Sequence, residues 1–306
     1  MHQFSIFTPT HNRAQVLPRL YDSLKRQTYK DFVWVIVDDG SSDNTKEVVD
    51  QFINESIIDV EYYFIENGFK QKAFSLFSKI IKTPYFIDID DDDELTDNCL
   101  QVFKEEWDKV SDNKVGEIRA LSLNDKGEVS GNYLPIEGER RISNYIQEFF
   151  VKRKMLENVT CRKKEAITGV FDLEQDWLYD KVTFVYECVF WLRQSLKWDS
   201  LYLNIPLRIY HDSLDSMTVK TRVRNLKFFY NTFFSYYHIL NSLSKYSFSN
   251  ILHYTFMALK YSVCGFALKL PFMKMMNILD SNYCKFILLL FSPVTYLYSK
   301  CLKIKE

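Results

Sequence analysis

Short apolar runs alternate with amphipathic stretches over the first hundred residues. The runs at Phe4–Thr8, Phe32–Val37 and Val60–Ile65, and a fourth that starts at Tyr85, predict strands, of which the first and the fourth are expected to be buried. Between them, apolar side chains recur at helical spacing and predict three helices. The apolar faces of these helices are Leu17, Leu20, Tyr21 and Leu24; Val48, Val49, Phe52 and Ile53; and Ala73, Phe74, Phe77, Ile80 and Ile81. This alternation indicates an α/β fold with a doubly wound, mostly parallel sheet.

A polar segment follows each predicted strand. The segments are Pro9–Arg13, Asp38–Asp39, Asn67–Lys72 and Asp88–Asp91. Open α/β sheets bind ligands in a crevice at the carboxyl ends of their strands, so we predict that the four segments converge on one site. Neither Gly-rich phosphate fingerprint is present. The phosphates of a nucleotide would therefore need a metal ion, with Lys70 or Lys72 nearby.

The fourth strand ends in a block of carboxylates, which we call the acid block (Asp88–Glu94). Side chains alternate along a strand, so Asp88 and Asp90 are expected to face the same way. Carboxylates that share a face repel each other unless a cation lies among them, and oxygen ligands suit Mg²⁺ or Mn²⁺. A solvated acidic turn is the alternative. A calcium loop is excluded because Asp93 stands where Gly is needed and Cys99 where Glu is needed.

Composition and charge divide the 306 residues into two parts. The length allows one large domain or one domain with an appendage, and hydrophobic residues make up 47% of the chain, enough for a sizeable core. Residues 219–306 contain 12 Lys or Arg and 2 Asp or Glu, whereas residues 1–218 contain 27 and 38. The six scattered cysteines predict reduced thiols and a cytoplasmic location. The first strand begins at Phe4, which leaves no room for a signal peptide.

Four motifs in this order resemble the opening of the family 2 glycosyltransferases. They are Phe7–Arg13, Gln27–Phe32, Val37–Thr45 and Glu66–Lys70, and the acid block resembles the family's D-x-D element. The resemblance is strong to about residue 100, moderate to about residue 218 and absent beyond. It implies a GT-A fold with a Rossmann-like nucleotide-binding half. It also implies a metal-dependent, inverting enzyme of bacterial surface-polysaccharide synthesis, which moves a sugar from a nucleotide-sugar such as a UDP-sugar to a saccharide or lipid-linked acceptor.

The resemblance assigns roles to individual residues. Asp39 would accept a hydrogen bond from the base, Asp88 would approach the ribose, and Asp90 would hold Mn²⁺ or Mg²⁺ on the diphosphate. The predicted nucleotide-binding residues are Pro9, Thr10, His11, Asn12, Arg13, Asp38, Asp39, Asn67, Lys70, Lys72 and Asp88, and the predicted metal ligands are Asp90, Asp91 and His211. Phe69 departs from the family pattern, which has a small residue at that position.

The resemblance places the general base in the segment Phe184–Arg193. Relatives carry a Glu-Asp pair four to five residues before a Trp, which corresponds here to Tyr186 and Glu187. Glu187 is therefore the predicted base, and Asp176 and Asp180 are alternatives. The structural alternative is an amphipathic helix with Glu187 on its solvated face.

The C-terminal part has aromatic faces at helical spacing in Phe228–Tyr237 and Tyr254–Tyr261. Its most apolar run, Phe286–Phe291, is followed by Pro293 and falls short of the ~20 apolar residues of a spanning helix. Basic amphipathic helices with aromatic anchors lie in the headgroup region of anionic membranes. We predict a catalytic domain at residues 1–218 and, at residues 219–306, a helical appendage that binds the cytoplasmic face of the cell membrane. The alternative is packing on the catalytic domain or on a second subunit, in a homo-oligomer.

Three other functions fit parts of this sequence pattern. Nucleic-acid binding is not expected, because the C-terminal aromatic residues are predicted to be buried rather than displayed for stacking. A sugar nucleotidyltransferase can share this sheet and metal chemistry, but the basic Gly-rich loop expected near its first strand is missing. A non-catalytic, membrane-bound scaffold or sugar-binding protein with a degenerate site is the third, and the presence of Asp39, Asp88 and Asp90 argues against it.

Overall fold

The computed structural model describes residues 2–66, 69–130, 140–153, 157–173, 176–211 and 225–302. The chain forms two compact units. The first unit comprises Met1–Phe171 and Lys197–Ser213, and the second comprises Asp172–Leu196 and Leu214–Glu306. The predicted domain boundary at residue 218 falls outside the described residues. The segment Asp172–Leu196, which the prediction assigned to the catalytic domain, packs in the same unit as the C-terminal helices.

A nine-stranded sheet of described residues organises the first unit. Its strands are β1 (Phe4–Thr10), β2 (Phe32–Asp38), β3 (Asp59–Phe64), β4 (Tyr85–Asp88), β5 (Glu94–Leu95), β6 (Val115–Asn124), β7 (Arg140–Ser143), β8 (Asn158–Lys163) and β9 (Asp199–Tyr210). The spatial order is β3-β2-β1-β4-β8-β6-β9-β5, and β7 also pairs with β9. Strands β1 to β4 are parallel, and β8 runs antiparallel to both β4 and β6.

Four helices cover this sheet: α1 (Leu17–Lys25), α2 (Thr45–Glu55), α3 (Phe69–Ile80) and α4 (Cys99–Lys109). The four predicted strands and three predicted helices are confirmed to within a few residues. Every residue of β2 is buried, because helices lie on both faces of a doubly wound sheet. Because β1 pairs in parallel with both β2 and β4, the carboxyl ends of these three strands meet at one edge of the sheet, as predicted.

The second unit is helical: α5 (Glu187–Ser195), α6 (Leu226–Ser242), α7 (Ile251–Ala267), α8 (Phe272–Asn277) and α9 (Asn282–Cys301). Stacked rings of Phe233 and Tyr261, with centroids 4.5 Å apart, join α6 to α7. The buried hydroxyls of Tyr254 and Tyr261 donate to the carbonyl oxygens of Leu240 and Met275, each at 2.8 Å. These bonds satisfy the polar ends of two large core side chains.

Pro293 lies inside α9 and does not end it. Proline lacks the N–H that would bond the carbonyl of Leu289. The hydroxyl of Ser292 donates to that carbonyl oxygen instead, at 3.3 Å, so the helix continues to Cys301. In the part of the chain that the structure describes, no helix combines the length and apolarity needed to cross a membrane.

Candidate active site

Hydrogen bonds join the polar segments that follow β1, β2 and β4. The backbone N–H of Asp39 donates to the carbonyl of Thr10 at 2.8 Å. The Nδ1 of His11 donates to the carbonyl of Asp39 at 2.7 Å. The hydroxyl of Thr10 donates to the carboxylate of Asp91 at 2.7 Å. These bonds bring three of the four predicted segments together at one edge of the sheet, and Lys70 of the fourth segment joins them through its ion pair with Asp90 at 2.7 Å.

Asn12 cross-links the loops after β1 and β2. Its backbone lies in the left-handed region at φ 54, which Asn tolerates better than most residues. Its side-chain oxygen accepts hydrogen bonds from the N–H groups of Ser42 at 2.7 Å and Asp43 at 3.2 Å. Its own N–H donates to the hydroxyl of Ser41 at 2.8 Å. Asn12 thus has a structural role that the sequence did not indicate.

Asp38 and Asp39 are both buried at the end of β2. The carboxylate of Asp38 accepts hydrogen bonds from the Tyr62 hydroxyl at 2.6 Å and from the Ser41 N–H at 2.8 Å. Burial and this bond to Asp38 raise the pKa of Tyr62. The carboxylate of Asp38 therefore links the loop after β2 to β3, through Ser41 and Tyr62. Pro9 lies half-buried at the end of β1.

Each carboxylate of the acid block pairs with a basic side chain of this chain. A bound cation was predicted among these carboxylates, whereas the structure places arginine, lysine and histidine side chains beside them. The pairs are Asp88 with Arg162, Asp90 with Lys70 at 2.7 Å, Asp91 with Arg13 at 3.2 Å, Asp92 with Arg13, Asp93 with Arg208 at 2.5 Å, and Glu94 with His211 at 3.0 Å. Carboxylate repulsion alone is therefore not an argument for a metal ion in this chain.

Asp90 differs from the other carboxylates of the acid block in exposure and acidity. Its side chain is 46% exposed, against 21% or less for the others. The ammonium group of Lys70 lowers the pKa of Asp90. Burial raises the pKa of Asp91 to about 6 and that of Asp93 to about 7, although Arg13 and Arg208 oppose these shifts. Asp90 is therefore the most exposed carboxylate of the block, and Lys70 favours its ionised form.

The three predicted metal ligands do not form a cluster. Asp91 is buried against Thr10 and Arg13, and the Nε2 of His211 lies 3.0 Å from Glu94. Within the described ranges, no group of three or more His, Cys, Asp or Glu side chains could hold a metal ion. The residues present fit a hard cation that takes one carboxylate, Asp90, from the protein and its other ligands from phosphate and water.

Two further predicted nucleotide-binding residues, Lys70 and Lys72, lie in the first turn of α3. Lys70 is the second residue of this helix, and Lys72 is exposed. Phe69 has φ 64, a conformation that glycine adopts at least cost, which agrees with the small residue of the family pattern. Asn67 lies outside the described residues.

A buried network of charged residues, which the sequence did not predict, lies behind Asp88. The guanidinium of Arg162 bonds both Asp88 and Glu117, the latter at 3.1 Å. Glu117 also accepts from Arg119 at 2.6 Å and from the Ser200 hydroxyl at 2.5 Å. Burial alone would raise the pKa of Glu117, but Arg119 and Arg162 lower it to about 2. The available signal was the pair of charged residues, Glu117 and Arg119, among the apolar residues of β6.

We expect Arg162→Met to lower the free energy of unfolding by about 3–5 kcal/mol, because it leaves the buried charge of Glu117 without one of its partners. The measurement is urea unfolding of the purified protein. Arg140→Met is the matched control, since Arg140 forms an ion pair with Glu106 while 44% exposed, and such pairs contribute about 1 kcal/mol or less. Equal losses in the two variants would contradict the assigned role of Arg162.

The segment just before Glu187 is hydrogen-bonded to side chains of α6, within the second unit. The side-chain oxygen of Asn231 accepts from the N–H groups of Thr183 at 2.9 Å and Phe184 at 3.2 Å. The N–H of Tyr186 donates to the Ser235 hydroxyl at 3.1 Å. Tyr186, which replaces an acid of the family pattern, also hydrogen-bonds to the Thr232 hydroxyl at 3.0 Å. Glu187 then begins α5. The polar positions of an otherwise aromatic helix therefore position the predicted base.

The alternative bases lie in different surroundings. Asp176 is 3.4 Å from the Nε2 of His238, and both line a cavity of about 380 Å³ in the second unit. Asp180 is exposed in a short 3₁₀ helix. Glu187 is half-buried, in the first turn of a helix.

Comparison with known proteins gives one family and several bacterial relatives. The family described as glycosyl transferase family 2 matches residues 5–199. The chain is 26% identical over 221 residues to the GalNAc(5)-diNAcBac-PP-undecaprenol β-1,3-glucosyltransferase of Campylobacter jejuni, covering 69% of this chain and 70% of that protein. It is 28% identical over 108 residues to the teichoic acid poly(glycerol phosphate) polymerase of Staphylococcus epidermidis, covering 35% of this chain but only 15% of the polymerase.

A solved structure with the same fold covers nearly the whole chain. It is the crystal structure of S. aureus TarS 1-349 in complex with UDP-GlcNAc, with a TM-score of 0.62 and 14% identity. The match covers 98% of this chain and 89% of that chain. At this identity the likeness concerns the fold alone.

Proposed function

The chain is a glycosyltransferase of family 2 with a GT-A fold, and from this premise we propose that it transfers a sugar from a UDP-sugar to a saccharide or lipid-linked acceptor in bacterial cell-surface glycan synthesis. The observation that carries the proposal is Asp90, half-exposed and ionised beside Lys70 at the carboxyl edge of the parallel strands. The UDP-GlcNAc complex of TarS supports a UDP-sugar donor. The undecaprenol-linked substrate named for the Campylobacter relative supports a lipid-linked acceptor.

The donor diphosphate would meet two groups at this edge. The ammonium of Lys70 is 29% exposed and is already held 2.7 Å from Asp90, so a phosphate group can reach it without disturbing the core. Asp90 is the residue that would hold Mg²⁺ or Mn²⁺, which when bound supplies positive charge to the leaving diphosphate. Asp39 and His11 would orient the base and ribose.

The acceptor hydroxyl would give its proton to Glu187. A carboxylate general base activates the hydroxyl for a single displacement at the sugar carbon, which inverts its configuration. The hydrogen bonds of Asn231 and Ser235 to the preceding backbone hold the start of α5, and thus the Cα of Glu187, in place. Asp176 is the alternative base.

We expect UDP with Mn²⁺ to raise the melting temperature of the purified protein. A ligand that binds only the folded state stabilises it by about 2.7 kcal/mol at a hundredfold excess over Kd. The measurement is thermal unfolding with UDP, GDP or CMP, each with and without Mn²⁺, for wild type, Asp90→Ala and Asp50→Ala. Asp50 is the control because it forms an exposed pair with Lys46 on α2.

The increase should occur with UDP, depend on Mn²⁺, persist in Asp50→Ala and disappear in Asp90→Ala. An equal increase in Asp90→Ala would contradict the site. No increase with any nucleotide would support a non-catalytic protein instead.

A further inference from the structure

Helix α9 turns an apolar face to solvent. Six large side chains have exposed fractions between 54% and 66%: Phe286, Leu289, Leu290, Val294, Leu297 and Tyr298. Their spacing follows i, i+3, i+4, i+8, i+11 and i+12, which places them along one side of the helix. Soluble proteins rarely leave a continuous apolar stripe of this kind uncovered.

The opposite side of α9, which packs inside the second unit, is the more polar one. Its buried residues are Cys284, Ile287, Leu288, Thr295 and Ser299. The hydroxyl of Thr295 hydrogen-bonds to that of Ser262 on α7 at 2.9 Å. An amphipathic helix on the surface of a soluble domain has the reverse arrangement, with its polar side in water. The sequence of α9 therefore fits an apolar environment on its outer side.

The apolar surface continues beyond α9. Phe248, Leu252 and Phe256 follow an i, i+4, i+8 spacing, and each is more than half exposed. The ring of Phe248 lies 5.5 Å from that of Tyr283, in the first turn of α9. We call the exposed residues of both segments the C-terminal apolar face. The face comprises Phe248, Leu252, Phe256, Phe286, Leu289, Leu290, Val294, Leu297 and Tyr298.

Positive charge accompanies this face. Residues 225–302 contain seven Lys and one Asp, and residues 281–302 contain no acidic residue. Lys285 and Lys300 lie near the two ends of α9. The ammonium of Lys260 lies 4.6 Å from the centroid of the Phe256 ring, and that of Lys300 lies 5.1 Å from the centroid of the Tyr296 ring. Lysines that lie along aromatic rings can place their ammonium groups at the level of lipid headgroups while the rings enter the apolar layer.

We propose that the C-terminal apolar face docks onto an anionic phospholipid bilayer, with α9 lying in the plane of the membrane. Bulky apolar side chains would enter the boundary between headgroups and acyl chains, and the lysines would meet the phosphates. A second copy of this chain is disfavoured as the occupant, because pairing two such faces would bring Lys260, Lys285 and Lys300 of one copy toward the same lysines of the other.

Docking of the C-terminal apolar face would also hold Glu187 near the membrane. The role of Glu187 rests on the proposed function, whereas the docking itself does not. Helix α9 packs on α7, and α7 packs on α6, whose Asn231 and Ser235 hold the segment before Glu187. A docked second unit would therefore keep the proposed base at the membrane surface, where a lipid-linked acceptor resides.

The test is flotation of the full-length protein with phosphatidylcholine vesicles, with and without 30% phosphatidylglycerol, at low and high salt. We expect binding to the anionic vesicles to be at least tenfold stronger and to weaken in high salt. Leu289→Gln/Leu290→Gln/Leu297→Gln should reduce it at least tenfold. The matched control is Ile53→Gln/Ile57→Gln/Phe64→Gln, which changes three exposed apolar residues of the first unit and should bind like wild type.

The far-UV circular dichroism spectrum and the midpoint of urea unfolding serve as the folding check. If both are retained while vesicle binding is lost, the variant is folded and the docking face is confirmed. Should the triple variant not fold, Lys285→Gln/Lys300→Gln provides the second test and should weaken binding to anionic vesicles at least threefold. The proposal is overturned if wild type binds neither kind of vesicle, or if the triple variant binds as strongly as wild type. It is also overturned if sedimentation shows that wild type is a dimer and that the triple variant is not.

Discussion

Replacing Asp90 by Asn is expected to reduce sugar transfer by at least about a hundredfold, the scale on which loss of one electrostatic group in an active site acts. Asn keeps the shape of the side chain but removes its charge. The variant therefore loses the ion pair with Lys70 and the exposed, ionised carboxylate of the acid block. The measurement is UDP release from a panel of UDP-sugars in the presence of a lipid-linked saccharide acceptor.

Stability should change little in Asp90→Asn, because the side chain is 46% exposed and its pair with Lys70 is solvated. Asp50→Asn is the control for a general effect of removing one surface charge. Activity of Asp90→Asn within tenfold of wild type, with UDP binding intact, would refute the assignment of Asp90 to the diphosphate.

Replacing Glu187 by Gln is expected to lower turnover by about 10²–10⁴-fold while UDP binding stays unchanged, because Gln cannot accept the proton of the acceptor hydroxyl. Glu187 is in the second unit, so the donor residues of the first unit are not altered directly. The measurements are transfer rate at saturating donor and the thermal shift with UDP and Mn²⁺.

Asp176→Asn and Asp180→Asn are the informative comparisons for Glu187. Both remove a carboxylate from the same unit, and both residues were alternative bases in the sequence analysis. If Asp176→Asn abolishes turnover and Glu187→Gln does not, the base is Asp176, in its cavity beside His238. Comparable rates in all three variants would exclude each of these residues as the base.

Local patterns predicted the fold of the first hundred residues well. Apolar runs predicted β1 to β4, and helical spacing predicted α1 to α3, because burial on two faces and on one face leaves different periods in the sequence. The same patterns predicted that polar segments meet at the carboxyl edge, which the bonds among Thr10, Asp39 and Asp91 bear out. The resemblance to family 2 glycosyltransferases was confirmed by the family match.

Ion pairs across the sheet were not predictable, because strand register decides them. Arg162 stands opposite Phe86 on β4 and Glu117 on β6, so that its guanidinium reaches both Asp88 and Glu117. No pattern in the sequence indicates that Arg162 pairs with Asp88. The expectation that the acid block needs a bound cation was incomplete for the same reason.

The sequence by itself determined the strands and helices of the first hundred residues, the polar edge, and the charge contrast between the two parts of the chain. Tertiary structure alone decided that Arg13, Arg162, Lys70 and Arg208 pair with the acid block and that residues 172–196 belong with the C-terminal helices. It also decided which side of α9 faces solvent. Periodicity reports whether a side chain is buried, but only packing of distant segments determines which partner buries it.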